Sequence, residues 1–169
     1  IFTSCAIGCV LLSTIAADFI AKPLVERWRP SSDPWIKYAV DVVDDYRPGK
    51  YGFFSAHAAN TFSLALYFSL WVKNRLFSFA MISWSLLNCY SRIYLGAHYP
   101  SDVVVGLLVG AVIAVLFYLL SRKLFFKISS NFNYVSTQYS ATGYSVTDID
   151  MVLTVIGFLY ILIIIIPLL

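Results

Sequence analysis

Charge is what this chain has least of. Lys, Arg, Asp and Glu make up 12% of its 169 residues, about half the ~25% of an ordinary soluble domain. With 60% hydrophobic residues and a mean hydropathy of +0.78, that shortage excludes a water-soluble globular domain. A net charge of +3 without a basic run excludes a nucleic-acid-binding face. The three cysteines, Cys5, Cys9 and Cys89, are odd in number, lie in apolar runs and lack ligand spacing. They offer no metal site, read as small core residues and carry no information about redox compartment. Histidine is scarcer still, with only His57 and His98, so any imidazole chemistry must use these two. There is no initiator Met, and residue 1 already lies in an apolar stretch; further sequence is expected before it, a signal, more helices or both.

What is present is apolar length. Runs at 1–21, 56–72, 76–94, 102–120 and 151–169 are long enough to cross a hydrocarbon core of ~30 Å at ~1.5 Å per residue. The expectation is an all-α integral membrane bundle of about five spanning helices. A transmembrane core is expected over residues 1–122, a polar loop over 123–148 and an additional C-terminal helix over 149–169. Helix packing or dimerisation is the default role of that last run. Between the first two runs, Ser31, Ser32, Asp33 and Pro34 look like a helix start. The following residues to Tyr46 are too short and too charged to span, so a short interfacial helix is expected there. Residues 47–52, with Pro48, Gly49 and Gly52, have the composition of a turn.

Against this background the stretch from Arg92 to Asp102 stands out. It sets an Arg, a His and an Asp six and four residues apart between two apolar runs. Phosphate esters resist attack because their oxygens are negative, so a catalyst needs fixed cations and an oriented nucleophile. His98 is the candidate nucleophile. Pro100 disfavours helix at Tyr99 and is tolerated in a first helical turn, so a helix carrying Asp102 is expected to begin just beyond His98. Asp102 then turns back to the imidazole, fixing its tautomer, while Arg92 forks onto phosphate oxygens. By itself the stretch fits equally well an interfacial His–Asp pair with Arg92 snorkelling.

Two other polar clusters bear on the choice. Lys22 and Arg29 are seven residues apart, two helical turns, and are expected to share one face while Arg27 points elsewhere; beside Trp28, such a pair is also how a chain anchors to lipid headgroups. Asp18, one turn before Lys22, reads as its interfacial salt-bridge partner. Ser55 is a good N-cap for the run from Ala56, which leaves free amides at a helix start, and such a start is an anion site. His57 in that first turn is a candidate proton donor to a leaving oxygen. No role follows for Asn60 or Thr61. Alternating the runs across the membrane brings all three clusters to one face. Two histidines, several cations, a Ser and an Asp at one depth are hard to explain as anchoring.

These residues resemble the type 2 phosphatidic acid phosphatase superfamily of membrane lipid phosphatases. Its motifs read Lys, six residues, Arg-Pro; then Pro-Ser-Gly-His; then Ser-Arg, five residues, His, three residues, Asp. Here stand Lys22 to Arg29-Pro30, Ser55-Ala56-His57, and Ser91-Arg92 to His98 to Asp102, over roughly residues 15–122. The resemblance implies that His98 forms a phosphohistidine, that Asp102 orients it, and that His57 protonates the leaving group and later activates water. Lys22, Arg29, Ser55 and Arg92 would hold the phosphate, with no metal and no cofactor. Phe54 and Ala56 depart from the second motif, and Ala56 still offers its amide if the local backbone avoids positive φ. The family core has six spanning helices with the first motif after the third, whereas one run precedes it here.

The function expected is hydrolysis of a phosphate or pyrophosphate on a membrane lipid: polyprenyl pyrophosphate, phosphatidate, phosphatidylglycerophosphate or lipid A phosphate. The alternatives are a non-hydrolytic protein that binds or carries anionic lipids, and a lipid phosphotransferase. Charge does not orient the chain. Setting aside Lys22, Arg29 and Arg92, four Lys and Arg remain on the site face against five on the other. The resemblance to bacterial members points to an inner membrane with the site facing the periplasm or exterior.

Overall fold

The computed structural model describes residues 1–43, 46–128 and 145–166, except the side chain of residue 164. Among them every regular element is a helix. Helix α1 runs over Phe2–Val25, with a π-helical stretch at Ile15–Ala21 between α-helical ends. It is followed by α2 (Ala56–Val72), α3 (Arg75–Tyr94), α4 (Pro100–Ile128) and α5 (Val146–Ile165). By length and composition α1, α4 and Val146–Ile163 of α5 are able to cross a membrane. Helices α2, at 17 residues, and α3, with four serines and an Asn in its 20 residues, take the other two apolar runs. At ~1.5 Å per residue they are about 25 and 30 Å long.

The helix ends are written in local chemistry. Glu26, at φ 48, stops α1, and its amide donates to the Lys22 carbonyl at 3.1 Å. Ser55 caps α2 by accepting from the Ala58 amide at 3.4 Å. Lys73 at φ 54 ends α2, and Asn74 at once caps α3, accepting from Phe77 at 3.0 Å, which makes a tight antiparallel turn. Gly96, at φ +62, follows α3, in a conformation only glycine adopts without strain.

Helix α2 lies between α1, α3 and α4. Cys5, Ala6 and Cys9 of α1 meet Tyr67 and Trp71 of α2 and Ile113 and Ala114 of α4 in one buried cluster. Trp71 donates to the Ser121 hydroxyl at 3.0 Å and packs edge-on to Phe2 and Phe125. Asn60 donates to Thr14 at 3.0 Å, and Thr61 bonds Ser85 at 3.0 Å; these are interhelical bonds of the kind worth about 0.6 kcal/mol each in membranes. Helix α5 leans on α3, where the Tyr160 hydroxyl meets Ser83 at 2.9 Å and Ile149 joins Val72 and Phe77.

Two expectations change. The segment after Asp33 forms successive turns rather than an interfacial helix. The Lys37 amide reaches the Asp33 carbonyl at 2.9 Å, but the next bond, from the Ala39 amide to the Ile36 carbonyl at 2.8 Å, spans only three residues, as in a turn. The polar loop does not begin at 123 either, because α4 continues to Ile128 with Phe125 docked on Phe2 and Trp71. The expected loop at 129–144 lies outside the described residues.

Gly106 and Gly110 let α4 touch the start of α2. A Cβ on Gly106 would sit 2.7 Å from the Ser55 carbonyl oxygen, and one on Gly110 2.6 Å from that of Ala59. Gly106→Ala is therefore expected to destabilise the protein by about 1 to 3 kcal/mol, read as a lower melting temperature in detergent. Gly157→Ala, with open space around it, is expected to leave that temperature unchanged or raise it.

Candidate active site

Five of the seven residues singled out by sequence line one cavity. Lys22, Arg29, His57, Arg92 and His98 surround a volume of about 110 Å³, together with Asp18, Tyr46, Pro48, Ala56 and Ala97. That is room for one tetrahedral anion. The other two, Ser55 and Asp102, are fully buried behind it. Each reaches the cavity by a separate local rule.

Lys22 begins the last turn of α1 and is paired with Asp18 one turn earlier. Arg29 is not on that helix, which ends at Val25, so the expectation of one shared helical face is corrected. Its segment is extended: Trp28 bridges Tyr51, the Arg29 amide donates to the Lys50 carbonyl at 3.1 Å, and Gly52 donates to the Arg27 carbonyl at 2.9 Å. The two cations converge because a loop folds back, not because two turns of helix align them. Arg29 is then held at three points. Its Nε donates to the Tyr51 carbonyl at 3.1 Å, and its Nη1 donates to the Ala97 carbonyl at 3.1 Å and contacts His98 Nε2 at 3.2 Å.

That last contact fixes the imidazole. A guanidinium has no acceptor, so Nε2 must offer its lone pair and the neutral ring carries its proton on Nδ1. The nitrogen directed at the cations is thus the one that carries the lone pair. Nδ1 faces Asp102 Oδ2 at 3.9 Å, beyond hydrogen-bonding length, and among the described residues this buried atom has no hydrogen-bond partner. Asp102 faces the ring, as expected, but does not bind it here.

The Asp102 carboxylate is engaged elsewhere. Oδ2 accepts from the Tyr99 amide at 3.1 Å, capping α4 from its first turn, and Oδ1 is 2.7 Å from Arg27 Nη1. Arg27 was expected to point away from the site; that expectation is corrected, because the extended segment after Val25 turns its side chain over Tyr99, 4.3 Å from the ring centroid. Helix periodicity had no means of finding it.

Ser55 spends its hydroxyl on the cap of α2, so what it gives the cavity is a fixed helix N-terminus with Ala56 and His57 at its mouth. Ala56 is not among the positive-φ residues, which meets the condition its departure from the motif imposed. Gly52 also matters: a Cβ there would be 2.9 Å from Arg29 Cγ and 3.5 Å from His98 Nδ1. Tyr46 and Pro48 are cavity residues that nothing in their local sequence announced.

Burial drives His98 below its ordinary pKa of 6.5, with Arg29 and Lys22 adding to the fall and Asp102 opposing it. A lowered value keeps the ring neutral, hence nucleophilic, at more acidic pH. The acid limb of kcat/KM is expected to have its midpoint below 6.5, measured as phosphate release against pH.

The chain is 36% identical over 132 residues to a lipid A 4'-phosphatase of Bacteroides thetaiotaomicron, covering 75% of this chain and 59% of that one. A lipid A 4'-phosphatase of Porphyromonas gingivalis is 40% identical over 111 residues, 63% of this chain and 47% of that one. The rat sphingosine-1-phosphate phosphatase 1 is 33% identical over 94 residues, 54% of this chain and 22% of that one. The chain thus spans between about a fifth and three fifths of these relatives. No solved structure matches it significantly. The PAP2 superfamily model matches residues 3–126, from α1 to the end of α4 and short of α5, and the chain belongs to the PAP2 superfamily.

Proposed function

We propose that this chain hydrolyses a phosphate ester on a membrane lipid, with His98 as the nucleophile. The observation that supports it most is the single cavity in which His98 Nε2, His57 and the cations Lys22, Arg29 and Arg92 surround a space for one phosphate group.

In this reading the three cations and the amides at the start of α2 hold the phosphate oxygens. Nε2 attacks phosphorus, a nitrogen–phosphorus bond forms, and the bond from phosphorus to the lipid oxygen breaks. His57, protonated, gives its proton to that oxygen. It then takes a proton from water, which attacks phosphorus; the nitrogen–phosphorus bond breaks, inorganic phosphate leaves and His98 is neutral again. Asp102 opposes the positive charge that the ring gains while phosphorylated, through the proton on Nδ1.

The similarity to two lipid A 4'-phosphatases favours a lipid carrying a phosphorylated sugar as substrate. Polyprenyl pyrophosphate, phosphatidate and phosphatidylglycerophosphate, which carry no sugar, are the alternative lipid phosphates. In this reading the site faces the periplasm or exterior of a bacterial inner membrane, with the ester held at headgroup depth and the tails entering between helices. The test is phosphate release by the full-length protein from these lipids in mixed micelles, with lipid A the best substrate. Binding without release would support a lipid-binding or transport protein instead. Label appearing on a second lipid rather than in inorganic phosphate would support a phosphotransferase.

A further inference from the structure

Asp102 is wholly buried, and its two oxygens are both committed before His98 is considered. Oδ1 meets Arg27 Nη1 at 2.7 Å, and Oδ2 accepts from the Tyr99 amide at 3.1 Å. The same Nη1 donates to the Ser101 hydroxyl at 2.9 Å, and the guanidinium lies over the Tyr99 ring. The Tyr99 hydroxyl in turn donates to Asp33 Oδ2 at 3.2 Å. One half-buried side chain from the loop after α1 therefore grips positions 99, 101 and 102, the turn that joins His98 to α4. Arg27 is not among the residues lining the cavity, and its guanidinium is engaged by Asp102, Ser101 and the Tyr99 ring.

We propose that Arg27 is a positioning residue for the reaction: by pairing with Asp102 and stacking on Tyr99 it sets how the buried carboxylate is presented to His98 Nδ1. This rests on the reading of His98 as nucleophile, but its physical content is separate. A guanidinium bonded to Oδ1 withdraws negative potential from the imidazole 3.9 Å from Oδ2 and keeps the carboxylate from swinging onto it. Removing Arg27 leaves a buried carboxylate whose nearest ionisable neighbour is His98. The His98–Asp102 couple then takes up its proton at higher pH, and the neutral nucleophile is depleted. The other groups around the ring remain as they were: Asp18 and Lys22 from α1, Arg29 and Tyr46 from the loops, His57 from α2 and Arg92 from α3.

The experiment compares wild-type protein with Arg27→Gln and Arg27→Lys. It reads the His98 imidazole titration by NMR, simple to assign in a chain with two histidines, and phosphate release from the best lipid of the panel. Arg27→Gln is expected to raise the His98 midpoint by about one pH unit and to lower kcat about 10- to 100-fold with KM within about twofold. Arg27→Lys, which keeps the charge without the fork or the stacked plane, is expected to restore most of the midpoint and only part of kcat. Arg75→Gln, an exposed cation at the opposite end of the bundle, is expected to change neither.

An unmoved midpoint in Arg27→Gln, or a loss carried by KM alone, overturns the proposal. Should Arg27→Gln not fold, Arg27→Lys decides: kcat equal to wild type overturns it. If wild-type protein releases no phosphate from any lipid, the phosphatase reading fails, while the midpoint shift still reports whether Arg27 governs the His98–Asp102 couple.

Discussion

His98→Ala is expected to lower phosphate release on the order of 10⁵-fold, the scale on which removal of a covalent nucleophile acts. The substitution leaves the anion site standing. Arg29 loses its contact with Nε2 but keeps the Tyr51 and Ala97 carbonyls, and Lys22 and Arg92 do not hydrogen-bond the ring. Lipid binding is therefore expected to stay within about tenfold of wild type, since the cations that hold the ground state are untouched. A melting curve checks that the fold persists, as it should for one side chain at the end of a bundle whose packed core is formed around Cys9, Tyr67 and Trp71. A protein that only binds or carries anionic lipids would show no release from wild type and no sensitivity to this change.

His57→Ala is expected to cost about 10² to 10⁴ in kcat on an alkyl phosphate, with a dependence on leaving group that separates its two roles. An alkyl alkoxide is a poor leaving group and needs the proton His57 would deliver. An aryl phosphate leaves as a phenolate and does not, so its first step is expected to lose far less. Hydrolysis of the phosphorylated enzyme still needs His57 to take the proton from water. On the aryl substrate the variant is therefore expected to release one equivalent of phenol in a burst and then stall. Equal losses on alkyl and aryl substrates, without a burst, would remove His57 from proton transfer and leave it as a positioning group at the mouth of α2.

The helices and the three polar clusters were legible because their causes are local. Apolar run length gives α1 to α4 within a few residues at most ends, Ser55 marks the start of α2, and Pro100 after His98 marks the start of α4. The convergence of Lys22, His57, Arg92 and His98 follows from alternation of the runs, which needs only their order. Arg29 was found for the wrong reason. Two helical turns from Lys22 suggested a shared face, but Glu26 in the left-handed region ends the helix and the Trp28–Tyr51 bridge folds the loop back. Arg27, Gly52, Tyr46 and Pro48 were not legible, since each owes its place to a tertiary contact between loops. The reach of α4 to Ile128 was missed because its charged residues suggested a loop, whereas Phe125 is held by Phe2 and Trp71 across the bundle.

The most direct test of the central claim is to quench the His57→Ala protein during turnover of a ³²P-labelled substrate and map the label. A phosphoryl group that is stable in alkali, lost in acid and confined to residue 98 is the result expected of a nucleophilic His98. Label on any other residue, or steady release of phosphate with no phosphorylated protein at any time point, would contradict it.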